Sequence, residues 1–305
     1  MANVYIFVLK VERMNCLIDK LWNNKVEVHF FEEALRNFAS PEQLFYSLND
    51  GFFAYVPKNI DGEGKTLQSR NSLIGQFTEK WTKDLFTPIA NAFNLYAVNG
   101  VVCEEIGLTN RSSADLALCS TDSVNQTAKN IKLIFEIKMS IVSNYKLNNN
   151  REISFIGDYK SHKGNPALLR SDSMLKAIGK SINIRVSGIE SKKIPIIILG
   201  NSPITTNYID KVDYLKKAGV IQGFWSLNPH PINSEHIRNT PNQGFITIDD
   251  AALLKNLIRK LLTNELNYFS SMISKQKLGQ IIVIANKEVK NEKKAERFLQ
   301  LINEV

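Results

Sequence analysis

Glu136 and Lys138 stand two residues apart in Ile131-Lys132-Leu133-Ile134-Phe135-Glu136-Ile137-Lys138-Met139-Ser140, a run that reads as a strand. Side chains alternate between the two faces of a strand, so Leu133, Phe135, Ile137 and Met139 point one way. Glu136 and Lys138 then point the other way together, about 7 Å apart at the usual rise per residue. Ile134 shares their face, which places an acid and an amine on a buried surface where each is costly to desolvate alone. Asp115 opens a second short apolar run, Asp115-Leu116-Ala117-Leu118. If the two runs pair at the ordinary spacing of about 4.8 Å, Asp115 and Glu136 reach one hard cation. Two carboxylates and the Ile137 carbonyl, completed by waters and a phosphate oxygen, form the oxygen-rich shell that Mg²⁺ prefers. Lys138 can then touch both that phosphate and an attacking water, while the ion lowers the water's pKa and neutralises transition-state charge. The plainer alternative is a Glu136–Lys138 ion pair with Asp115 as a turn residue.

The elements that must position these groups can be read on either side of them. Ile74, Phe77, Trp81, Leu85 and Ile89 recur at helical steps and predict a helix over 72–93. Strands follow at 95–102 (reaching 105 at most), 115–119 and 131–140, then a long polar stretch from Ser143 to about Arg170. Ser171 and Asp172 suit the start of a helix over 172–184, with Leu175, Ile178 and Ile182 as its expected buried stripe. A strand at 194–199, a helix at 208–218 and a strand at 220–226 continue the alternation. The expected fold is α/β, a central mixed sheet flanked by helices. The remainder reads as helices at 249–262 and 287–303 around a short strand, Gln280 to Ala285. Residues 1–60 carry a strand-like start (Val4, Ile6, Val8) and helical stretches around 30–50, with no role assigned. The Gly-Lys-Thr at 64–66 is no phosphate-binding P-loop, because Asn59 stands where its first glycine belongs. The expected division is 1–68, a core at 69–248 and a mostly helical part at 249–305.

Ser113-Ala114-Asp115 followed by Glu136-Ile137-Lys138 resembles the PD-(D/E)xK nuclease superfamily, with Ala114 in place of the usual proline. The order helix, three strands, helix, strand over roughly 70 to 200 is similar to that family's core. The resemblance implies a restriction-endonuclease-like fold with Asp115, Glu136 and Lys138 as the catalytic set, and Mg²⁺ held by Asp115, Glu136 and Ile137. It also implies a further carboxylate from the first helix, for which Glu79 is the best match, while Glu105, near the end of the first strand, is a weaker alternative. Against Glu79 stands an exposed i,i+4 pair with Lys83. A chain of this size without helicase or ATPase motifs looks like a type II restriction endonuclease, cutting double-stranded DNA to 5′-phosphate ends as a homodimer. The alternatives are a structure-specific repair or recombination nuclease on the same core, and a DNA-binding protein without catalysis.

Residues that could hold DNA cluster after Lys138. Lys160, Lys163 and Arg170 lie in the polar stretch, and Lys176 and Lys180 sit one turn apart on the next helix, spaced for two phosphates. Gln222 and Asn228 flank Trp225 and could read base edges, while Trp225 is either a stacking platform or core. The four histidines show no metal-ligand spacing and are expected to be structural.

Composition sets the outer limits. In 305 residues, 44% are hydrophobic and 22% charged, ordinary usage for a folded chain. The net charge of +8 favours a polyanionic partner, nucleic acid or an acidic membrane surface. Met1 to Val11 is apolar over about ten residues, short of a bilayer span, and lacks the order of a signal peptide. Membrane is therefore not expected as a partner, nor is a nucleotide cofactor. Cys16, Cys103 and Cys119 are scattered, which argues against disulfides and structural zinc and for a reducing cytoplasm, a prokaryotic one if the restriction-enzyme resemblance holds.

Overall fold

The structure is a computed structural model describing residues 21–61, 67–232, 235–263 and 275–304. The expected strand at Val4, Ile6 and Val8, Cys16, and residues 62–66 of the glycine-rich loop lie outside them. In chain order, helices α1 (Asn24–Asn37) and α2 (Pro41–Leu44) precede strands β1 (Tyr46–Leu48) and β2 (Gly51–Phe53). Helix α3 (Gln68–Asn91) leads to β3 (Tyr96–Val101), β4 (Ala114–Cys119) and β5 (Ile131–Lys138). Strands β6 (Asn144–Leu147) and β7 (Ile153–Gly157) follow, then helix α4 (Ser171–Ser187) and β8 (Ile196–Gly200). Helix α5 (Ile209–Lys217), β9 (Gly223–Ser226), β10 (Phe245–Thr247) and helices α6 (Ala251–Thr263), α7 (Lys275–Ala285) and α8 (Asn291–Asn303) complete the order.

Six of the described strands form one mixed sheet in the order β10-β9-β8-β5-β4-β3. Strands β3, β4 and β5 run antiparallel, whereas β5, β8, β9 and β10 run parallel. Alternation along the strands feeds two cores. On one face Leu116, Leu133, Phe135, Ile197 and Trp225 pack against Phe31 of α1, Ile74 and Phe86 of α3, and Leu254 and Ile258 of α6. On the other, Ala117, Ile134, Ile198 and Phe224 meet Met174, Ala177 and Ile184 of α4 and Val212 of α5. The protein is therefore mixed α/β, a mixed central sheet with helices on both faces. The first core runs from Leu21 to Ile258 and so crosses both expected boundaries, at 68/69 and 248/249.

Three expectations need correction. Gln280 to Ala285 is not a strand but the end of α7, whose Ile281 and Ala285 are buried one turn apart against the α7–α8 hairpin. The Ile-Ile-Val-Ile run reads as β by propensity, and packing of a helical pair overrides it. The buried stripe of α4 is Met174, Ala177, Ser181 and Ile184, while Leu175 and Ile182 are exposed. The polar stretch after Lys138 is not loop throughout: β6 and β7 form a hairpin that joins β1 and β2 in a second, antiparallel sheet.

The turn between β5 and β6 is fastened from two directions. Glu27 of α1 is fully buried, and its carboxylate accepts hydrogen bonds from Val142 N (2.7 Å), Ser143 N (3.1 Å), Trp22 Nε1 (2.9 Å) and the Tyr145 hydroxyl (2.9 Å). Buried His162 meets the Val142 carbonyl through Nε2 at 3.0 Å, and its Nδ1 accepts from Gly164 N at 3.1 Å. That pairing fixes a neutral imidazole with its proton on Nε2. The segment leaving β5 is thus tied to the N-terminal part of the chain.

Candidate active site

Strand β4 pairs with β5 so that Leu116 lies opposite Phe135. One step further along the register, Asp115 comes level with Glu136 on the α4 face of the sheet. Asp115 Oδ2 accepts a hydrogen bond from Ile137 N at 2.7 Å, which locks the carboxylate beside the strand. Glu136 is 5% exposed, and Lys138 donates from Nζ to its Oε1 at 2.6 Å. The same Nζ reaches the Ile137 carbonyl at 3.1 Å and lies 3.9 Å from Asp115 Oδ2. Three oxygens from Asp115, Glu136 and Ile137 thus converge on one cationic atom.

Lys180 is the residue that the sequence placed elsewhere. From the middle of α4 its Nζ lies 2.5 Å from Glu136 Oε2 and donates to Asp115 Oδ1 at 3.1 Å. It was expected on the rim as a phosphate contact beside Lys176. The true phase of α4, set by Met174, Ala177 and Ser181, turns Lys180 toward the sheet and leaves Lys176 exposed. The short buried residues Ala177 and Ser181 on either side of it let the helix approach closely, and that spacing was the available clue.

The electrostatics follow from this crowding. Burial raises the proton affinity of Glu136, and neighbouring Asp115 adds to it, against the pull of Lys138 and Lys180. Burial opposes the Lys180 ammonium, but Glu136 and Asp115 outweigh it and hold its pKa above the ordinary lysine value. Glu79, half-buried on α3, belongs to the same field: burial and then Asp115 raise its pKa, while Lys180 and Lys138 lower it. No ion pair joins it to exposed Lys83 among the described residues. The main chain of Glu79 accepts from Asn99 Nδ2 at 3.0 Å, which ties this turn of α3 to β3. Glu105 stays outside the cluster, its Oε2 accepting from Ala128 N at 2.6 Å.

As a donor set for a metal the cluster is all oxygen, which suits a hard cation such as Mg²⁺. Glu136 Oε2 touches Lys180 as an ion pair but has no aligned hydrogen bond, so a buried carboxylate oxygen keeps coordinating capacity. Among the described residues no three Asp, Glu, His or Cys side chains form a ready cage, and the third oxygen here comes from the Ile137 main chain.

The residues expected to hold DNA divide. Lys163 and Arg170 line a cavity next to the end of β5. Arg170 is bound bidentately to Asp172, at 3.0 and 2.8 Å. Lys160 is exposed in a turn whose backbone N–H donates to Asp158. Gln222 sits at the opposite end of the parallel strands from Lys138. Its amide is spent on Ile196 N, Arg185 and the Gly219 carbonyl, so it braces the sheet and is not placed to read bases. Asn228 is buried and accepts from His230 N, capping a turn after β9. Trp225 is 3% exposed and belongs to the core. No described helix is long and apolar enough to cross a membrane. Comparison of the chain with protein-family models, with curated proteins and with solved structures finds no match.

Proposed function

We propose that this protein is a Mg²⁺-dependent endonuclease of the PD-(D/E)xK type acting on double-stranded DNA, in the manner of a type II restriction enzyme. One observation carries the reading: the Asp115 and Glu136 carboxylates and the Ile137 carbonyl converge on the ammonium of Lys138. A structural ion pair needs one acid and one base. Here two acids and two amines share a semi-buried site, an arrangement costly to fold and useful for chemistry on a charged substrate.

Asp115, Glu136 and the Ile137 carbonyl would hold the metal, which supplies Lewis acidity toward a phosphate oxygen and a more acidic bound water. Lys138, at the mouth of the carboxylate pair, holds a non-bridging oxygen of the scissile phosphate and steadies the charge that builds there. Lys180 pairs with both Glu136 and Asp115 and holds them in place from the helix side. Glu79, with its raised proton affinity, is the carboxylate suited to take the proton of the attacking water as the 3′-oxygen departs with its bonding pair. The net charge of +8 favours association with a polyanion.

Incubation with plasmid DNA in Mg²⁺ or EDTA, followed by sequencing of the ends, tests the reading. Ends that share one short sequence and carry 5′-phosphate support the restriction reading. Scattered ends move the assignment to a structure-specific or repair nuclease on the same core. No cutting with any divalent ion removes the nuclease altogether.

A further inference from the structure

A cavity of about 950 Å³ opens where the chain leaves β5 and enters α4. Its wall includes Tyr46, Tyr55, Arg70, Ser140, Lys163 and Arg170. Ser140 follows Lys138 by two residues, about 7 Å of extended chain, so the cavity adjoins the carboxylate cluster.

Arg70 is its unusual feature. The residue is only 4% exposed, yet no described acid forms an ion pair with it. Its Nη1 donates to the carbonyls of Leu44 and Ala54, and its guanidinium stands 4.7 Å from the Tyr55 ring centre and 5.5 Å from that of Tyr46. Carbonyls and ring faces lower the cost of burying a guanidinium, but they supply no counter-charge, and none comes from the described residues. Asp172 is the one acid among the described lining residues, and Arg170 already binds it through two hydrogen bonds. The described lining residues thus carry three cations, Arg70, Lys163 and Arg170, against one carboxylate, a net positive charge. Its volume is at the upper end of ordinary small-ligand sites and admits a nucleotide unit.

We propose that this cavity is an anion subsite that takes a backbone phosphate of the DNA strand, next to the phosphate being cut. The inference rests on the nuclease reading of the carboxylate cluster. The planar fork of arginine suits phosphate oxygens, and fixing the strand one phosphate away sets which bond reaches Lys138.

The test is binding without cutting: fluorescence anisotropy of a labelled duplex in EDTA, over a range of salt concentrations. Lys163→Gln/Arg170→Gln changes two exposed side chains. It is expected to bind about tenfold more weakly, with the log K against log salt slope shallower by roughly one to two. Arg70→Lys, checked for folding by circular dichroism, keeps the charge and loses the fork; it should bind more weakly with an unchanged slope. Wild-type affinity and slope in the double variant would overturn the subsite while leaving the nuclease reading intact. Normal dependence on these residues in a protein that never cuts with Mg²⁺ would overturn the nuclease reading and keep the subsite. A rise in wild-type Tm with millimolar inorganic phosphate, absent in the double variant and unaccompanied by DNA binding, would replace the strand with a free phosphate.

Discussion

Lys180 Nζ lies 2.5 Å from Glu136 Oε2, joining the middle of α4 to the carboxylate-bearing face of β5. The contact makes α4 part of the site and not merely a cover for the sheet. Both side chains are largely buried, so each charge depends on the other. Removing one member of such a pair typically costs about 3–5 kcal/mol. Lys180→Ala is expected to lower stability by about 3 kcal/mol in urea unfolding and to slow cleavage, whereas Lys180→Arg restores most of the stability. Lys176→Ala, on the exposed face one turn away, should leave stability unchanged. Equal stability of Lys180→Ala and wild type would make the contact incidental.

Asp115→Asn, Glu136→Ala and Lys138→Ala should each reduce cleavage by about 10³-fold or more, because on the proposed reading the two carboxylates would hold the metal and Lys138 the scissile phosphate. Circular dichroism should show the fold retained. Full activity in any one variant removes that residue from the mechanism.

Glu79→Gln separates a catalytic carboxylate from a structural one. The substitution keeps the size of the side chain but removes a group whose pKa is raised by burial and by Asp115. Cleavage should fall, and its rise with pH between 5 and 8 should flatten, while the unfolding midpoint changes little. An unaltered pH–rate profile would return Glu79 to a supporting role.

The clamp on Val142 gives a stability profile with two opposite slopes. Burial pushes Glu27 up to about 7 from an ordinary 4.5, so its stabilising contribution is present at low pH and is lost as pH rises through 7. Burial pushes His162 down to about 4 from 6.5, so its contribution is present above 6.5 and is lost as pH falls toward 4. Protonation would also turn Nδ1 of His162 into a donor facing Gly164 N–H. The two windows, from 4.5 to about 7 for Glu27 and from about 4 to 6.5 for His162, overlap with opposite slopes, so thermal unfolding of the wild type should change little across the overlap and fall on either side of it. Glu27→Gln points an amide at groups that donate to Glu27 now; it should lower Tm and remove the decline on the alkaline side. An alkaline decline that survives in Glu27→Gln would exclude Glu27 as its source.

Local pattern made the heart of the site legible. Strand alternation alone co-faces Glu136 with Lys138, and the apolar run after Asp115 identifies its strand. Apart from β6 and β7, the element order from α3 to β8 is readable for the same reason, since each of those elements carries its own period. What escaped needed distant partners. The hairpin of β6 and β7 is completed by β1 and β2, about ninety residues earlier, and nothing in 143–170 records that pairing. The phase of α4 was misjudged because Leu175 and Ile182 are apolar yet exposed, while Ser181 and Arg185 are buried. That error of about one residue moved Lys180 from the rim into the site. Arg70 could not be singled out at all, because a buried charge with no acid beside it among the described residues is visible only once its surroundings are known.

The central claim is that Asp115, Glu136 and Lys138 cut DNA with a divalent metal, and plasmid cleavage by wild type and Glu136→Gln, each in Mg²⁺ and in EDTA, tests it most directly. The account predicts cleavage by the wild type in Mg²⁺ alone and none by the variant under either condition. Cleavage by Glu136→Gln at the wild-type rate, or cutting that persists in EDTA, would contradict it.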